Sequence, residues 1–276
     1  MVRQAHHHPE PGRGVTQATV TFLGTGTSHG VPMIACDCAV CRSTDPRDKR
    51  LRPSIFLDVP SHAGILVDAG PDLRQQALTF GVKHLDAILL THAHADHILG
   101  LDEVRRFNAI TGKPLPCYAS PSTWETVWKT FHYIFDGVPR MGGGIPKIDA
   151  HEIRGPLLVN GVRVVPVPVW HGQMPVLGFR FGDFAYLTDC NKIDDSSMKL
   201  VEGVDTLVID ALRDKPHVTH FSVSEALDVI ATLRPRRAYM THMTHDLGHA
   251  ATSARLPPGV ELAYDGLVLD VRVDVE

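Results

Sequence analysis

The sequence has no apolar run of the ~18 residues that a membrane-spanning helix requires, and no signal-peptide pattern opens it. It also has no excess of basic residues, because its formal net charge is −4, and binding to a phosphate backbone needs a basic face. Cysteine is scarce, and three of the five residues lie close together, which is not the pattern of a secreted disulfide-bonded protein. These absences predict a cytoplasmic protein with neither membrane nor DNA as a partner.

Two kinds of catalytic motif are also missing. The glycine-rich stretch 24–30 lacks the Gly-Lys-Ser/Thr ending of a nucleotide-binding P-loop, so we interpret it as a tight turn, with a phosphate-contacting nest as the alternative. No convincing Ser–His–Asp or Cys–His arrangement is present, and Cys117 and Cys190 are isolated. The sequence therefore gives no reason to expect a covalent nucleophile.

Histidine, in contrast, is abundant, with 17 residues in a chain of 276. His6, His7 and His8 lie in a leader rich in Pro, Gly and Gln, and we predict that residues 1–17 are disordered. The remaining residues, 18–276, contain enough apolar side chains for one large α/β domain, and no low-complexity linker divides them.

The most informative stretch is 91–97, Thr-His-Ala-His-Ala-Asp-His. It follows a short apolar run, 86–90, that is typical of a buried strand, and it precedes a helical pattern over 98–110. Imidazole and carboxylate side chains bind divalent zinc, manganese or iron well. Four of them fall within six positions: His92, His94, Asp96 and His97. The alternative is a solvated polar loop in which the aspartate caps a helix, but such a dense set rarely arises by chance.

Three more candidate ligands each follow a predicted strand: His171, Asp189 and His242. Because α/β folds place their chemistry at the carboxyl ends of strands, we expect all these side chains along one edge of a sheet. Asp68 also ends a predicted strand and has two interpretations. It could cap a helix that starts near Leu73, or its carboxylate could accept a hydrogen bond from a ligating imidazole.

Cys36, Cys38 and Cys41 form a second dense group. Three thiols in six residues can hold one zinc ion only if a fourth ligand arrives from elsewhere, because structural zinc is tetrahedral. The alternative is three free thiols, but the flanking residues are polar, and clustered exposed thiols oxidise readily. The group therefore predicts a zinc site.

Four other segments have simpler interpretations. Aromatic residues at helical spacing over 121–135 predict a core-facing helix, and 137–144 has no periodicity and is a candidate lid. Ser222 and Glu225 form a capping box that starts a helix ending near residue 233. Asp265-Gly266 predicts a hairpin turn before the last strand.

The pattern Thr-His-x-His-x-Asp-His in 91–97, with single His, Asp and His residues farther along, resembles the signature of the metallo-β-lactamase superfamily. Residues 22–28, the cysteine group and residues 241–246 are similar to the PhnP-type cyclic phosphodiesterases, which act on phosphoribosyl 1,2-cyclic phosphate. The resemblance extends over nearly the whole chain from about Thr19. It implies an α/β fold, the metallo-β-lactamase αββα sandwich of two mixed β-sheets with helices outside.

The resemblance also implies three metal positions. Two divalent ions, Mn²⁺ or Zn²⁺, would lie in the active site, bridged by Asp189. One would be held by His92, His94 and His171, and the other by Asp96, His97 and His242. A structural Zn²⁺ would be held by Cys36, Cys38, Cys41 and His245, the last supplying the missing fourth ligand.

Asp96 and His220 are the candidate catalytic residues. The resemblance implies that His220 is the general acid, and the capping box at Ser222 places it two residues before a helix start, where backbone N–H groups attract a phosphate. His217 is the competing histidine, and we expect it to face solvent.

Together these expectations describe a metal-dependent phosphodiester hydrolase with a dinuclear centre and a bridging hydroxide. Its partner would be a small phosphodiester, a cyclic ribose phosphate or a nucleotide-like compound. The alternatives within the superfamily are a tRNase Z-like RNA-processing endonuclease and a thiolester hydrolase. A homodimer is compatible with all three.

Overall fold

Two mixed β-sheets lie at the centre of the computed structural model, which describes residues 14–138 and 144–276. The strands are β1 Gly14–Gly24, β2 Ser54–Val59, β3 Ala63–Val67, β4 Ala87–Leu89, β5 Leu115–Ala119, β6 Ile148–Glu152, β7 Leu157–Val159, β8 Val162–His171, β9 Met174–Phe181, β10 Phe184–Leu187, β11 Thr206–Asp210, β12 Arg237–Thr241, β13 Val260–Leu262 and β14 Val268–Val275. The helices are α1 Leu73–Phe80, α2 Ala95–Ile98, α3 Val104–Thr111, α4 Pro121–Thr130, α5 His132–Phe135, α6 Asp195–Val201, α7 Val223–Leu233 and α8 His249–Ser253.

The first sheet has the strand order β14-β1-β2-β3-β4-β5-β6, and the second has the order β8-β9-β10-β11-β12-β13. Strand β8 connects them. Its first residue, Val162, pairs with Val275 of β14, and its residues 165–171 pair with β9. The two sheets are therefore continuous through one strand.

Parallel pairing determines where the chemistry can lie. Strands β3 to β6 run parallel to one another, and so do β10 to β13. The loops that follow these strands therefore leave the same end of each sheet, and this end is where α/β folds collect functional side chains.

Three apolar clusters show the order of the layers. One cluster lies between the sheets and joins Phe22 of the first sheet to Phe181 and Tyr186 of the second. Another packs α1 and α4 on the outer face of the first sheet, and the third packs α6 and α7 on the outer face of the second. This is the predicted αββα sandwich, with helices on both outer faces.

The sheet begins earlier than expected. Strand β1 starts at Gly14, so residues 14–17 belong to the sheet rather than to a disordered leader; Gly14 pairs with Val275 and Val15 with Asp274. Those four residues alternate too weakly in polarity to be recognised as a strand without their partner. The rest of the predicted leader, 1–13, and residues 139–143 of the predicted lid lie outside the described residues.

Two long helical patterns are broken into shorter helices. The pattern over 98–110 becomes α2, a 3₁₀ turn over Leu101–Glu103, and α3. The break lies at Gly100, where a Cβ would collide with the backbone of Gly70, so the chain needs a glycine to pass this close. The aromatic pattern over 121–135 is interrupted at Phe131, between α4 and α5.

The predicted hairpin at Asp265-Gly266 is wrong. Strand β13 pairs with β12 in the second sheet, whereas β14 pairs with β1 in the first, so the turn carries the chain between sheets. The Asp265 carboxylate accepts hydrogen bonds from Leu51 N–H (2.7 Å) and from the Thr25 hydroxyl (2.8 Å). The turn is thus held by the neighbouring loops instead of by a paired strand.

No helix among the described residues is long and apolar enough to cross a membrane.

Candidate metal centre

Seven side chains that could bind a metal meet at the carboxyl ends of four strands. They are His92, His94, Asp96 and His97 after β4, His171 at the end of β8, Asp189 after β10, and His242 after β12. All seven were predicted from the sequence to lie along one sheet edge, and the structure brings them together across both sheets. All are buried except His94, which is exposed.

The first group consists of His92, His94, His171 and Asp189, each of which offers a ligand atom within 4.8 Å of the others. The ring centroids of His92 and His94 are 4.6 Å apart, and those of His94 and His171 are 5.0 Å apart. The Asp189 carboxylate lies 3.6 Å from His92 Nε2.

The second group consists of Asp96, His97, His242 and the same Asp189. His97 Nε2 lies 3.2 Å from Asp189 Oδ2, and His242 Nε2 lies 3.0 Å from Asp189 Oδ1. Asp96 Oδ2 is 3.4 Å from His97 Nε2 and 3.6 Å from His242 Nε2. One carboxylate therefore belongs to both groups.

These residues fit divalent cations by a test that does not depend on family resemblance. Among the described residues, Nε2 of His92, His97 and His242 and Oδ2 of Asp96 are buried without a hydrogen-bond partner. Buried polar atoms without partners are costly, and one cation in each of the two groups would together satisfy all four. The spacing also fits, because tetrahedral ligands with bonds of about 2.0–2.2 Å lie about 3.4 Å apart.

Asp68 supports the histidine loop from behind. Its Oδ2 accepts a hydrogen bond from His97 Nδ1 at 2.7 Å, and its two oxygens also accept from the N–H and hydroxyl of Thr91, both at 2.8 Å. Of the two roles that the sequence left open for Asp68, the structure shows the hydrogen bond to a candidate ligand and not the helix cap. Because Nδ1 is occupied, Nε2 of His97 is the nitrogen that faces the centre.

Three residues of the centre have left-handed backbones, a feature that sequence patterns did not reveal. The φ angle is 64° at Asp68, 52° at Asp189 and 62° at His242. Each of these residues comes directly after a parallel strand or one residue later. A non-glycine residue in this region typically costs about 1–3 kcal/mol, so the surrounding structure imposes it and thereby aims the side chain.

Burial and charge set the protonation of the ligand atoms. Burial lowers the pKa of His171 to about 4 although the Asp189 carboxylate opposes this, so His171 is neutral near pH 7, the form that binds metals. Burial raises the pKa of the Asp189 carboxyl, but the imidazoles of His242 and His97 more than offset it, and the pKa lies well below its usual range. Burial also lowers the pKa of His242 and His97, but nearby carboxylates, Asp189 foremost, more than offset it and raise the pKa of His242 to about 10 and that of His97 well above its usual range. These two imidazoles must therefore release a proton when they bind a cation.

His220 lies beside the two groups, where it and Asp210 each bring a possible ligand atom within 4.8 Å of those of Asp189 and His242. Its ring is stacked on that of His242, with the centroids 4.7 Å apart, and meets that of His171 edge to face, with the centroids 4.6 Å apart. Its Nδ1 donates to Asp210 Oδ2 at 2.7 Å. Asp210 was not predicted to have a role, although it resembles Asp68 in ending a parallel strand with a buried carboxylate.

His217 does not face away as expected. It is half-buried, its ring lies 5.3 Å from that of His220, and its Nδ1 accepts a hydrogen bond from the Thr219 hydroxyl at 3.1 Å.

The cysteine group forms a separate cluster. The Sγ atoms of Cys36, Cys38 and Cys41 lie 3.1, 3.5 and 3.4 Å from His245 Nδ1. Tetrahedral zinc, with bonds of about 2.3 Å to sulfur and 2.0–2.1 Å to nitrogen, would place these atoms about 3.5 Å apart. The Cys41 N–H donates to the Cys38 sulfur and lowers the pKa of that thiol to about 7, which favours the thiolate that zinc requires.

A buried arginine fixes the segment that connects the two clusters. The Arg50 guanidinium donates to the carbonyls of Thr244 (2.8 Å) and Leu247 (2.5 Å). His242 and His245 belong to the same short segment. The position of the cysteine cluster and that of the histidine centre are therefore linked through a few residues.

Comparison with known proteins agrees with this geometry. Residues 64–243 match the family described as β-lactamase superfamily domain. A crystal structure of a diphosphatase from the PhnP family is 44% identical and covers 94% of this chain and 99% of that one, with a TM-score of 0.88.

Two curated relatives are also similar. Octanoyltransferase of Porphyromonas gingivalis is 36% identical over 248 residues, which are 89% of this chain but 50% of that protein. This chain thus spans about half the length of that relative. Coenzyme PQQ synthesis protein B of Methylorubrum extorquens is 32% identical over 311 residues, covering 91% of this chain and 99% of that protein. The chain belongs to the β-lactamase superfamily and is a metallo-hydrolase of its PhnP-like branch.

Proposed function

We propose that this metallo-hydrolase cleaves phosphodiester bonds with two divalent cations in the histidine centre. The first would be held by His92, His94 and His171 and the second by Asp96, His97 and His242, with Asp189 shared. A third cation, zinc, would be held by the cysteine cluster. The observation that carries the proposal is that Asp189 belongs to both groups, with one oxygen 3.2 Å from His97 Nε2 and the other 3.0 Å from His242 Nε2.

A pair of divalent cations about 3.5–4 Å apart supplies an activated water and positive charge for the phosphoryl oxygens. The chain's own residues then have three tasks. Asp68 and Thr91 keep His97 in the orientation that presents Nε2 to the centre. Asp189 and Asp96 would supply the negative charge that holds the cations, and the exposed His94 marks the side of the centre that a substrate could approach.

In this proposal His220 protonates the leaving oxygen. Its Nδ1 donates to Asp210, so Nε2 is the atom that remains for the substrate. Its ring lies within 5 Å of His171 in one ligand group and of His242 in the other. A leaving group released between the two groups would therefore be within reach of this side chain.

Similarity to the PhnP-family protein supports phosphorus chemistry over the other activities of the superfamily. That relative is called a diphosphatase, which favours a phosphoanhydride ester as a second candidate substrate class. The name octanoyltransferase carries less weight, because half of that relative lies outside the match.

The test is a hydrolysis screen of protein reconstituted separately with Mn²⁺ and Zn²⁺. The substrates are a 1,2-cyclic ribose phosphate, a linear dinucleotide, a nucleoside diphosphate ester, a precursor tRNA and an acyl thioester. We expect the highest kcat/KM on one of the two small phosphodiesters. Preferential cleavage of the diphosphate ester would select the second candidate, and cleavage of the tRNA alone would keep phosphodiester chemistry but assign it to RNA processing. Cleavage of the thioester alone would refute the proposal.

A further inference from the structure

Three loops meet beside the centre, and the side chain of Asn191 on one of them bonds to the other two. Asn191 lies in the loop after β10, two residues beyond Asp189. Its Oδ1 accepts the N–H of Gly172, just after β8, at 2.8 Å. Its Nδ2 donates to the carbonyl of Val218 at 3.0 Å. The partners fix the orientation of the amide, because an N–H must meet oxygen and a carbonyl must meet the NH₂ group.

The loop that contains Val218 continues into His220. The next carbonyl, that of Thr219, accepts a hydrogen bond from His171 Nδ1 at 2.8 Å. Gly172 lies so close to this loop that a Cβ on it would be 2.9 Å from Thr219 Cγ2. Two consecutive carbonyls before His220 are therefore held by side chains from two other loops.

Beyond His220 the backbone is also fixed, since the N–H of Phe221 donates to the carbonyl of Cys190 at 2.9 Å. The His220 ring itself is held by Asp210. The exposed side of this arrangement is the one that Asn191 secures, because the Val218 side chain is 81% exposed and projects into solvent.

We infer that Asn191 is a positioning residue that holds the 217–220 loop in place so that His220 reaches the leaving group. This role rests on the proposed function, in which His220 is the proton donor. A hydrogen bond near the surface adds little to folding stability, so its loss should be visible in the loop and in the rate rather than in thermal stability.

The test compares N191D and N191A. Aspartate keeps the acceptor for Gly172 N–H but replaces the donor to Val218 with a repelling oxygen, whereas alanine removes both bonds without adding charge. Gln75→Glu is the matched amide-to-acid control, because Gln75 is exposed on α1 and bonds only to Thr79 among the described residues.

The first readout is hydrogen exchange by mass spectrometry on a peptide spanning 213–221, in protein with its metals bound. We expect this peptide to exchange about 10-fold faster in N191D and N191A than in the parent protein, and at the parent rate in Gln75→Glu. Unchanged exchange in both variants would overturn the inference. This readout decides whether Asn191 holds the loop even if the parent protein proves inactive on every phosphodiester.

The second readout is the dependence on the leaving group. For a cyclic ribose phosphate, which needs a proton donor, kcat should fall about 10- to 100-fold in both variants with KM nearly unchanged. For a bis-nitrophenyl phosphodiester, kcat should remain within about 2-fold, because nitrophenolate leaves without a proton. Equal losses of kcat on both substrates would overturn the positioning role. A loss of kcat in N191D but not in N191A would also overturn it, because the effect would then come from the added charge.

Discussion

The cysteine cluster and the histidine centre differ in what surrounds their candidate metal ligands. The cysteine cluster has four ligand atoms, as a closed tetrahedral zinc site requires, and two of its three thiols are partly exposed. The histidine centre is buried apart from His94, shares one carboxylate between its two ligand groups, and has further carboxylates behind its imidazoles. The first arrangement is typical of a site that stabilises the fold, and the second of a site that performs chemistry.

The unpaired polar atoms show the same contrast. Among the described residues, buried nitrogen and oxygen atoms without partners occur on His92, Asp96, His97 and His242 of the histidine centre and not on His245 of the cysteine cluster. Three of the seven non-glycine left-handed residues that the structure describes also lie at the histidine centre, although another, Ala35, precedes Cys36. Both features cost folding free energy unless a ligand repays it. Zinc at the cysteine cluster, in contrast, would add folding free energy directly. Removing each group should therefore have opposite consequences, one chiefly for activity and the other chiefly for stability.

The largest effect should come from Asp189→Ala. Because this carboxylate belongs to both ligand groups, its loss should lower the metal content at both catalytic positions and abolish hydrolysis. Metal analysis together with initial rates measures this, and Asp149→Ala, an exposed carboxylate on β6, is the control. Two fully occupied catalytic ions with intact activity would show that Asp189 is not a shared ligand.

Next in size is His220→Ala. Loss of a positioned acid typically costs ~10²–10⁴ in rate, so hydrolysis of a cyclic ribose phosphate should fall by that factor while a bis-nitrophenyl phosphodiester is largely spared. His217→Ala is the comparison variant, because its ring is 5.3 Å away. Equal losses on both substrates would reassign His220 to phosphate binding or metal support, and a loss only in the His217 variant would identify that residue as the acid.

A smaller effect is expected for Asp68→Asn. The amide keeps the shape of the carboxylate but is a weaker acceptor for His97 Nδ1, and loss of such a brace typically lowers metal affinity about 10- to 100-fold. Competition with a chelator measures the affinity, and Asp58→Asn, a half-exposed carboxylate on β2, is the control. Unchanged affinity would mean that the position of His97 does not depend on this bond.

Cys36→Ser and His245→Ala should cause the smallest loss of activity but the largest loss of stability. Each should remove about one equivalent of zinc and lower Tm by about 5–10 °C, while the folded fraction keeps its catalytic metals. Asp37→Ala is the control in the same loop, since its carboxylate is exposed and pairs only with Arg42 among the described residues. Variants as stable and as metal-rich as the parent would make the three cysteines ordinary thiols.

Local signals were sufficient for much of the fold. Strand β4 lies within the apolar run 86–90, and α7 begins at the capping box and ends at residue 233, both as predicted. The dense ligand motif likewise indicated which loop would carry the chemistry. These features depend on residues close together in sequence, where periodicity and capping are informative.

What the sequence did not reveal depends on contacts between distant residues. The separation of β13 from β14 into different sheets follows from pairing with β12 and β1, which no local pattern encodes. The same holds for the break at Gly100 and for the left-handed conformation of Asp189 and His242. Asp210 could have been recognised by its position, because Asp68 occupies the equivalent place at the end of β3.

Strand β8 has a mechanical consequence. Strand β8 pairs with β14 at Val162 and with β9 over 165–171. The two sheets therefore cannot separate without disrupting the pairing of this one strand. The same strand ends at His171, inside the centre. Fraying that starts between the sheets would therefore travel along β8 to a ligand position, so the sandwich should open as one cooperative unit and lose its metals in the same event.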